Sequence, residues 1–284
     1  MKIAENVHLI RKEFYVTPEV KRYINIYLIT GESCYLIDSG VSGSEIIIDE
    51  YLHSIGRNMS DIKGIFLTHA HPDHIGGAAE IKRITDCKVY APMLEIDWIE
   101  DIDIQYRERP IPNFYTLLSE SVKVDIPLQD GDLVTLEKGI EICALLTRGH
   151  SHGSMSFILG DNIIFTGDAI PVAHDLPIFV DYEQSLYSLD RINELSNVQY
   201  FCPAWDEIYD KIRLKEVVND SKRMLHKLKD AVHQVEKEYK QYKQYDEADK
   251  LTMIFKQADI LQYVGNPLVV QSVDACRKYL LQMN

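Results

Sequence analysis

The chain has no long hydrophobic run. Its start, MKIAENVHLI, lacks the apolar core of a signal peptide, and no later segment reaches the length a helix needs to span a bilayer. Neither secretion nor membrane insertion is expected, and the cytoplasm is the expected compartment. Paired cysteines are missing too. Cys34, Cys87, Cys143, Cys202 and Cys276 are scattered, odd in number and never spaced as C-x-x-C, which reads as reduced thiols acting mostly as small buried hydrophobes. Cys202 lies close enough to a stretch discussed below for a chemical role to be its alternative. Positive charge is scarce: 30 Lys and Arg stand against 44 Asp and Glu, a net charge of −14. That balance disfavours nucleic acid and anionic membrane as partners. No glycine-rich phosphate-cradling loop occurs.

What is there is ordinary in bulk and specific in one place. Hydrophobic residues make up 46% and charged residues 26% of 284, enough for one large α/β domain and a smaller appendage. YINIYLIT and SCYLIDSG read as strands of a hairpin split at Gly31-Glu32. SGSEIIIDEYLHSIG has helical spacing, with Ser44 as N-cap and Gly56 as stop. IKGIFLTHA is a short apolar strand, DHIGGAAEIKRIT a helix and CKVYAP the next strand, an alternation that argues a layered α/β sheet. Residues 93–127 are irregular and rich in acids and aromatics, either a lid over a site or a solvated helix with a connector. GDLVTL, IEICALLTRGHSHGS, SMSFILG and DNIIFTGDAI resume the strand pattern.

From about Lys211 the composition changes. Leu214, Val218, Ser221, Leu225, Leu228, Val232, Val235, Tyr239 and Tyr242 line one side of a long helix at steps of four and three. Two more helical patterns follow, broken at Gly265-Asn266-Pro267. The expected division is a main domain over 1–210 and a helical C-terminal extension over 211–284. The stripe either packs back within the chain or forms the seam of a homodimer.

The specific feature is FLTHAHPDHIGG. It places His69, His71, Asp73 and His74 within six residues at the end of a strand. His69 and His71 alternate, so on an extended strand end they point the same way and can share one cation. Asp73 and His74 follow Pro72, where the chain turns, and a second cation is their natural destination. His150 can complete a three-histidine set, and Asp168 can bridge both ions. Strand ends thus present candidate ligands three times, where ligands of layered α/β folds collect.

THAHPDH, with DSG upstream and GHSHGS and TGDAI downstream in that order, resembles the metallo-β-lactamase superfamily from about residue 3 to residue 210. The resemblance implies an αββα sandwich with a dinuclear centre at one edge. It assigns His69, His71 and His150 to the first metal and Asp73 and His74 to the second, with Asp168 between them. Asp38 matches a structural aspartate beneath the site. One departure stands out. Where two-metal members carry a further histidine in a Pro-Gly-His-Gly turn, this chain has Pro203-Ala204-Trp205-Asp206. An indole nitrogen is only a donor and cannot ligate. Asp206 and His174 are the candidate replacements. One firmly held divalent ion and a weaker second one are expected, zinc first, with iron or manganese favoured as oxygen donors replace nitrogen.

A divalent ion lowers the pKa of its water from 15.7 to about 7, supplying hydroxide at neutral pH. With Asp73 as proton acceptor, the expectation is hydrolysis of a small-molecule ester, thioester or lactone. Trp98, Tyr106, Phe114 and Tyr115 either line an acyl pocket or belong to the core. His152 reads as exposed. Two other readings stand beside the hydrolase. One is a persulfide-dioxygenase-like oxidoreductase with a single iron on His69, His150 and Asp168. The other is a catalytically silent binding or regulatory protein acting through the long helix.

Overall fold

The computed structural model describes residues 1–173, 175–242 and 246–283, with the backbone alone for 239–242. Contacts divide the chain into two units. The first comprises Met1–Leu146, Gly153–Gly167 and Asn197–Ile208; the second comprises Thr147–His152, Asp168–Ser196 and Tyr209–Asn284.

The first unit is built on a seven-stranded sheet. Strands β1 (Lys2–Ala4), β2 (Val7–Thr17), β3 (Val20–Thr30) and β4 (Cys34–Ile37) run antiparallel; β5 (Ile62–Phe66), β6 (Lys88–Pro92) and β7 (Ile126–Leu128) continue parallel. Parallel neighbours need crossovers, and helices supply them. Helix α1 (Ser44–Ser54) precedes β5, α2 (Pro72–Ile75) and α3 (Ala78–Thr85) precede β6, and α4 (Ile96–Glu100), α5 (Ile102–Glu108) and α6 (Phe114–Leu117) precede β7. The central strands are apolar on both faces because both are covered. Ile24, Ile26, Leu28, Cys34 and Leu36 face a core with Ile48, Leu52, Ala78, Ile81 and Ile99 of the helices. Tyr27, Ile29, Tyr35 and Ile37, one residue out of phase, face the second sheet.

That second sheet orders β12-β11-β10-β9-β8, from β8 (Leu133–Glu137), β9 (Ile140–Leu146), β10 (Met155–Leu159), β11 (Ile163–Gly167) and β12 (Tyr200–Pro203). Its inner face contributes Ile142, Ala144, Phe157 and Phe165 to the shared core. Phe66 meets Phe157 edge-on at 5.4 Å between centroids, and Tyr27 lies 5.1 Å from Phe165. Each such ring contributes roughly 2–3 kcal/mol by leaving water. The expected mixed α/β architecture with two layered sheets is present.

Two local expectations are corrected. Ser44 is not the cap of α1 but its first residue, fully buried, and the cap position is Gly43 with φ 83°. Residues 93–127 are not irregular throughout: they hold α4, α5 and α6, whose Ile99, Ile102, Phe114 and Leu117 are buried in the core, and 118–125 form a connector without regular structure.

The second unit is helical: α7 (Tyr182–Glu194), α8 (Lys211–Tyr242), α9 (Glu247–Gln257) and α10 (Pro267–Gln282). Asp181 caps α7 by accepting from Gln184 N at 3.0 Å, and Asn266 caps α10. The stripe on α8 is buried from Leu214 through Val235, and α7, α9 and α10 all contact this helix. The side chains of Tyr239 and Tyr242 lie outside the described residues.

Candidate metal centre

Strands β4 and β5 lie side by side with Ile37 opposite Phe66, so the residues that follow them meet. Asp38 N donates to Phe66 O at 2.8 Å, and the Asp38 backbone turns into the left-handed region, φ 59°. Its carboxylate comes to rest under Thr68. Oδ1 accepts from Thr68 N at 2.8 Å; Oδ2 accepts from the Thr68 hydroxyl at 2.9 Å and from His74 Nδ1 at 2.8 Å. An ionised carboxylate only accepts. Thr68 has one hydroxyl proton and gives it to Asp38, so toward His69 Nδ1, 3.0 Å away, it must accept. Both histidines therefore carry their proton on Nδ1 and present Nε2 as the lone-pair nitrogen.

His69 Nε2 stands 2.9 Å from His71 Nδ1, and the rings of His69 and His74 lie 4.0 Å apart between centroids. His69 and His74 are fully buried and His71 nearly so. Two nitrogens on one tetrahedral zinc, each about 2.0–2.1 Å from it, would be about 3.3 Å apart. The observed pair is close to that, and the donor set of buried imidazoles fits a divalent cation. Asp73 stands in the first turn of α2, its Oδ2 3.6 Å from His74 Nε2. Pro72 at the first helical position sets this turn. The following glycine is required by space: a Cβ on Gly76 would sit 2.3 Å from Leu117 O and 2.6 Å from Ser42 N.

The second unit holds the remaining two expected ligands, paired with each other. His150 Nε2 lies 3.3 Å from Asp168 Oδ2. His150 Nδ1 donates to Ile178 O at 3.2 Å, which leaves Nε2 as its lone-pair nitrogen. The next residue, Phe179, is gripped by α10: the Ser272 hydroxyl accepts from Phe179 N at 2.9 Å and faces Phe179 O at 3.0 Å.

The remaining candidates lie in different surroundings. Trp205 packs edge-on against Phe14 at 6.1 Å, beside Tyr23 and under the Arg22 guanidinium. The loop around it is pinned by its carbonyls: Pro203 O accepts from Tyr27 Oη, Trp205 O from Tyr23 Oη, and Asp206 O from Asn25 Nδ2. The Asp206 carboxylate accepts from Glu207 N at 2.8 Å. His174 lies outside the described residues. His152 is exposed. Cys202 is fully buried among apolar neighbours, and that burial pushes its thiol up, away from thiolate chemistry. Of the pocket aromatics, Phe114 is core and Tyr106 and Tyr115 are exposed, while the Trp98 ring stands 6.4 Å from that of His71.

Three residues at this centre escaped the sequence reading. Thr68 was visible beside His69 as a hydroxyl able to relay between Asp38 and an imidazole. Glu95 accepts from Ala70 N at 3.1 Å and from Gly153 N at 2.5 Å, and Gln105 Nε2 donates to Ala70 O. Nothing in the spacing around these last two marks them.

Residues 20–198 match the metallo-beta-lactamase superfamily. A probable metallo-hydrolase of Methanocaldococcus jannaschii is 30% identical over 194 residues, 66% of this chain and 90% of that one. A hydroxyacylglutathione hydrolase of Hyphomonas neptunium is 30% identical over 176 residues, 59% of this chain and 60% of its own length. Among solved structures, a metallo-beta-lactamase family protein of Thermus thermophilus superposes with a TM-score of 0.74 at 17% identity, covering 99% of this chain and 94% of that one. Relatives so named support a metal-dependent hydrolase.

Proposed function

This chain belongs to the metallo-β-lactamase superfamily, and on that premise we propose that it hydrolyses a small-molecule ester, thioester or lactone with a divalent metal, zinc first. The observation that carries the reading is the facing pair His69 Nε2 and His71 Nδ1, with the tautomer of His69 set by the Thr68–Asp38 relay. In this reading His69, His71 and His150 hold one cation. Asp73 and His74 serve a weaker second, with Asp168 shared. The likeness to a protein named hydroxyacylglutathione hydrolase supports an acyl substrate.

A bound divalent cation would lower the pKa of water to about 7 and polarise the substrate carbonyl. The chain's own groups do the rest. Asp73 Oδ2 takes the proton of the attacking water and returns it to the leaving alkoxide or thiolate. Asp38, through Thr68 for His69 and directly for His74, keeps two imidazoles in the tautomer that ligates. Trp98 beside His71, with exposed Met93 and Leu94 on the same segment, offers apolar surface for an acyl group.

The test is metal content of protein purified without added metal, together with a screen of thioesters, lactones and phosphodiesters. One ion per chain and turnover of an acyl substrate, abolished in His71→Ala, are the expected results. Turnover that survives His71→Ala, or that is confined to phosphodiesters, would refute the reading.

A further inference from the structure

The peptide that joins the two facing histidines is held from both sides, and its holders come from the segment least legible in the sequence. Ala70 is fully buried between His69 and His71. Its N–H donates to Glu95 Oε2 at 3.1 Å, and its carbonyl accepts from Gln105 Nε2. The other Glu95 oxygen accepts from Gly153 N at 2.5 Å. Gly153 is glycine for room: a Cβ there would lie 2.6 Å from Leu94 Cβ and 3.0 Å from Glu95 Cγ.

We propose that Glu95 and Gln105 are positioning residues that lock the Ala70 peptide so that the imidazoles on either side converge on one cation. This rests on the metal reading above. The two imidazole directions depend on the torsions around Ala70, and a peptide free to rotate would spread them. Both holders lie in helical pieces of 93–127, Glu95 at the start of α4 and Gln105 in α5, and are 4% and 0% exposed. Burying a carboxylate is costly unless donors meet it. Glu95 meets two backbone N–H groups, one on each oxygen, which calls for a group that only accepts. Glutamine at this position would turn its NH2 against one of them. Gln105 is the converse case. Its Oε1 is buried with no hydrogen-bond partner among the described residues, so the amide is kept there for its donor.

Cobalt(II) titration of the whole, metal-free protein tests this, reading affinity and the d–d band shape. Glu95→Gln is expected to weaken cobalt binding ten- to a hundredfold, as loss of groups behind metal ligands does, and to alter the band shape. Gln105→Met, uncharged and similar in volume, should shift both readings the same way and decides the matter should Glu95→Gln not fold. Glu100→Met, which removes the acceptor altogether, is the structural control. That carboxylate in the same segment accepts from Val124 N at 2.9 Å, so its loss should lower the melting temperature and leave the cobalt spectrum alone. Wild-type affinity and spectrum in both Glu95→Gln and Gln105→Met, whatever their melting temperatures, would overturn the proposal. Failure of the wild-type protein to take up cobalt at all would overturn the metal reading first and this one with it.

Discussion

Trp205 stands where the family resemblance read from the sequence would put a ligating histidine, and its surroundings are those of a packed ring. The ring meets Phe14 and Tyr23, Arg22 lies 5.7 Å above it, and the carbonyls around it are taken by Asn25, Tyr23 and Tyr27. That is the environment of a packing residue on a pinned loop. Trp205→Ala is therefore expected to cost about 2 kcal/mol, less than full truncation of a buried aromatic because the ring is only partly buried. Bound metal should stay the same. Urea denaturation and elemental analysis of the variant check both, and loss of an ion with stability intact would contradict the assignment. The motif itself was legible in the sequence because His69, His71, Asp73 and His74 differ from their neighbours in chemistry. Glu95 was not, since one carboxylate among many acids looks solvated until its donors are known. Thr68 lay between these cases: its role depends on which groups meet around Asp38, which the sequence alone does not show.

The strands of both sheets were legible as elements because burial on both faces writes unbroken apolar runs such as CYLI. The pieces α4 to α6 were not. Each spans fewer than eight residues, at most two turns, too short for a helical period to stand out against acids and aromatics. What anchors their far end is an ion pair. Asp125, just before β7, accepts from Val89 N of β6 at 2.8 Å and pairs with Lys82 of α3. Burial raises its carboxyl, but the Lys82 and Val89 hydrogen bonds and the Lys82 and Lys88 charges outweigh that and hold it below the usual range. A group lowered on folding stabilises fully above its unfolded pKa, about 3.9, and that contribution is lost as pH falls through the folded value. Asp125→Asn should thus cost about 1 kcal/mol near neutral pH, allowing for screening. Its melting temperature and that of the wild type should converge in strong acid. A gap that persists there would show that the charge is not responsible.

At the scale of the molecule, the change of composition near Lys211 marked the start of α8, but the sequence could not announce that the second unit gathers three separate stretches. Contacts within that unit join residues far apart in the chain. The Tyr182 ring lies 4.7 Å from that of Tyr279, and Tyr182 Oη meets His226 Nδ1 at 2.6 Å. Removing residues 211–284 would strip the cover from Phe179 and Tyr182, which are 0% and 3% exposed. The truncated chain is expected to aggregate, seen as loss of the monomer peak in size-exclusion chromatography. A soluble truncate that unfolds cooperatively would refute this.

The grip of Ser272 on Phe179, one residue beyond the carbonyl that orients His150, carries a consequence for synthesis. A ribosome delivers His150 more than a hundred codons before Ser272, so a half-made chain owns the imidazole without the clamp that aims it. Under the proposed metal reading, the His150 ring would be aimed only once α10 has been made.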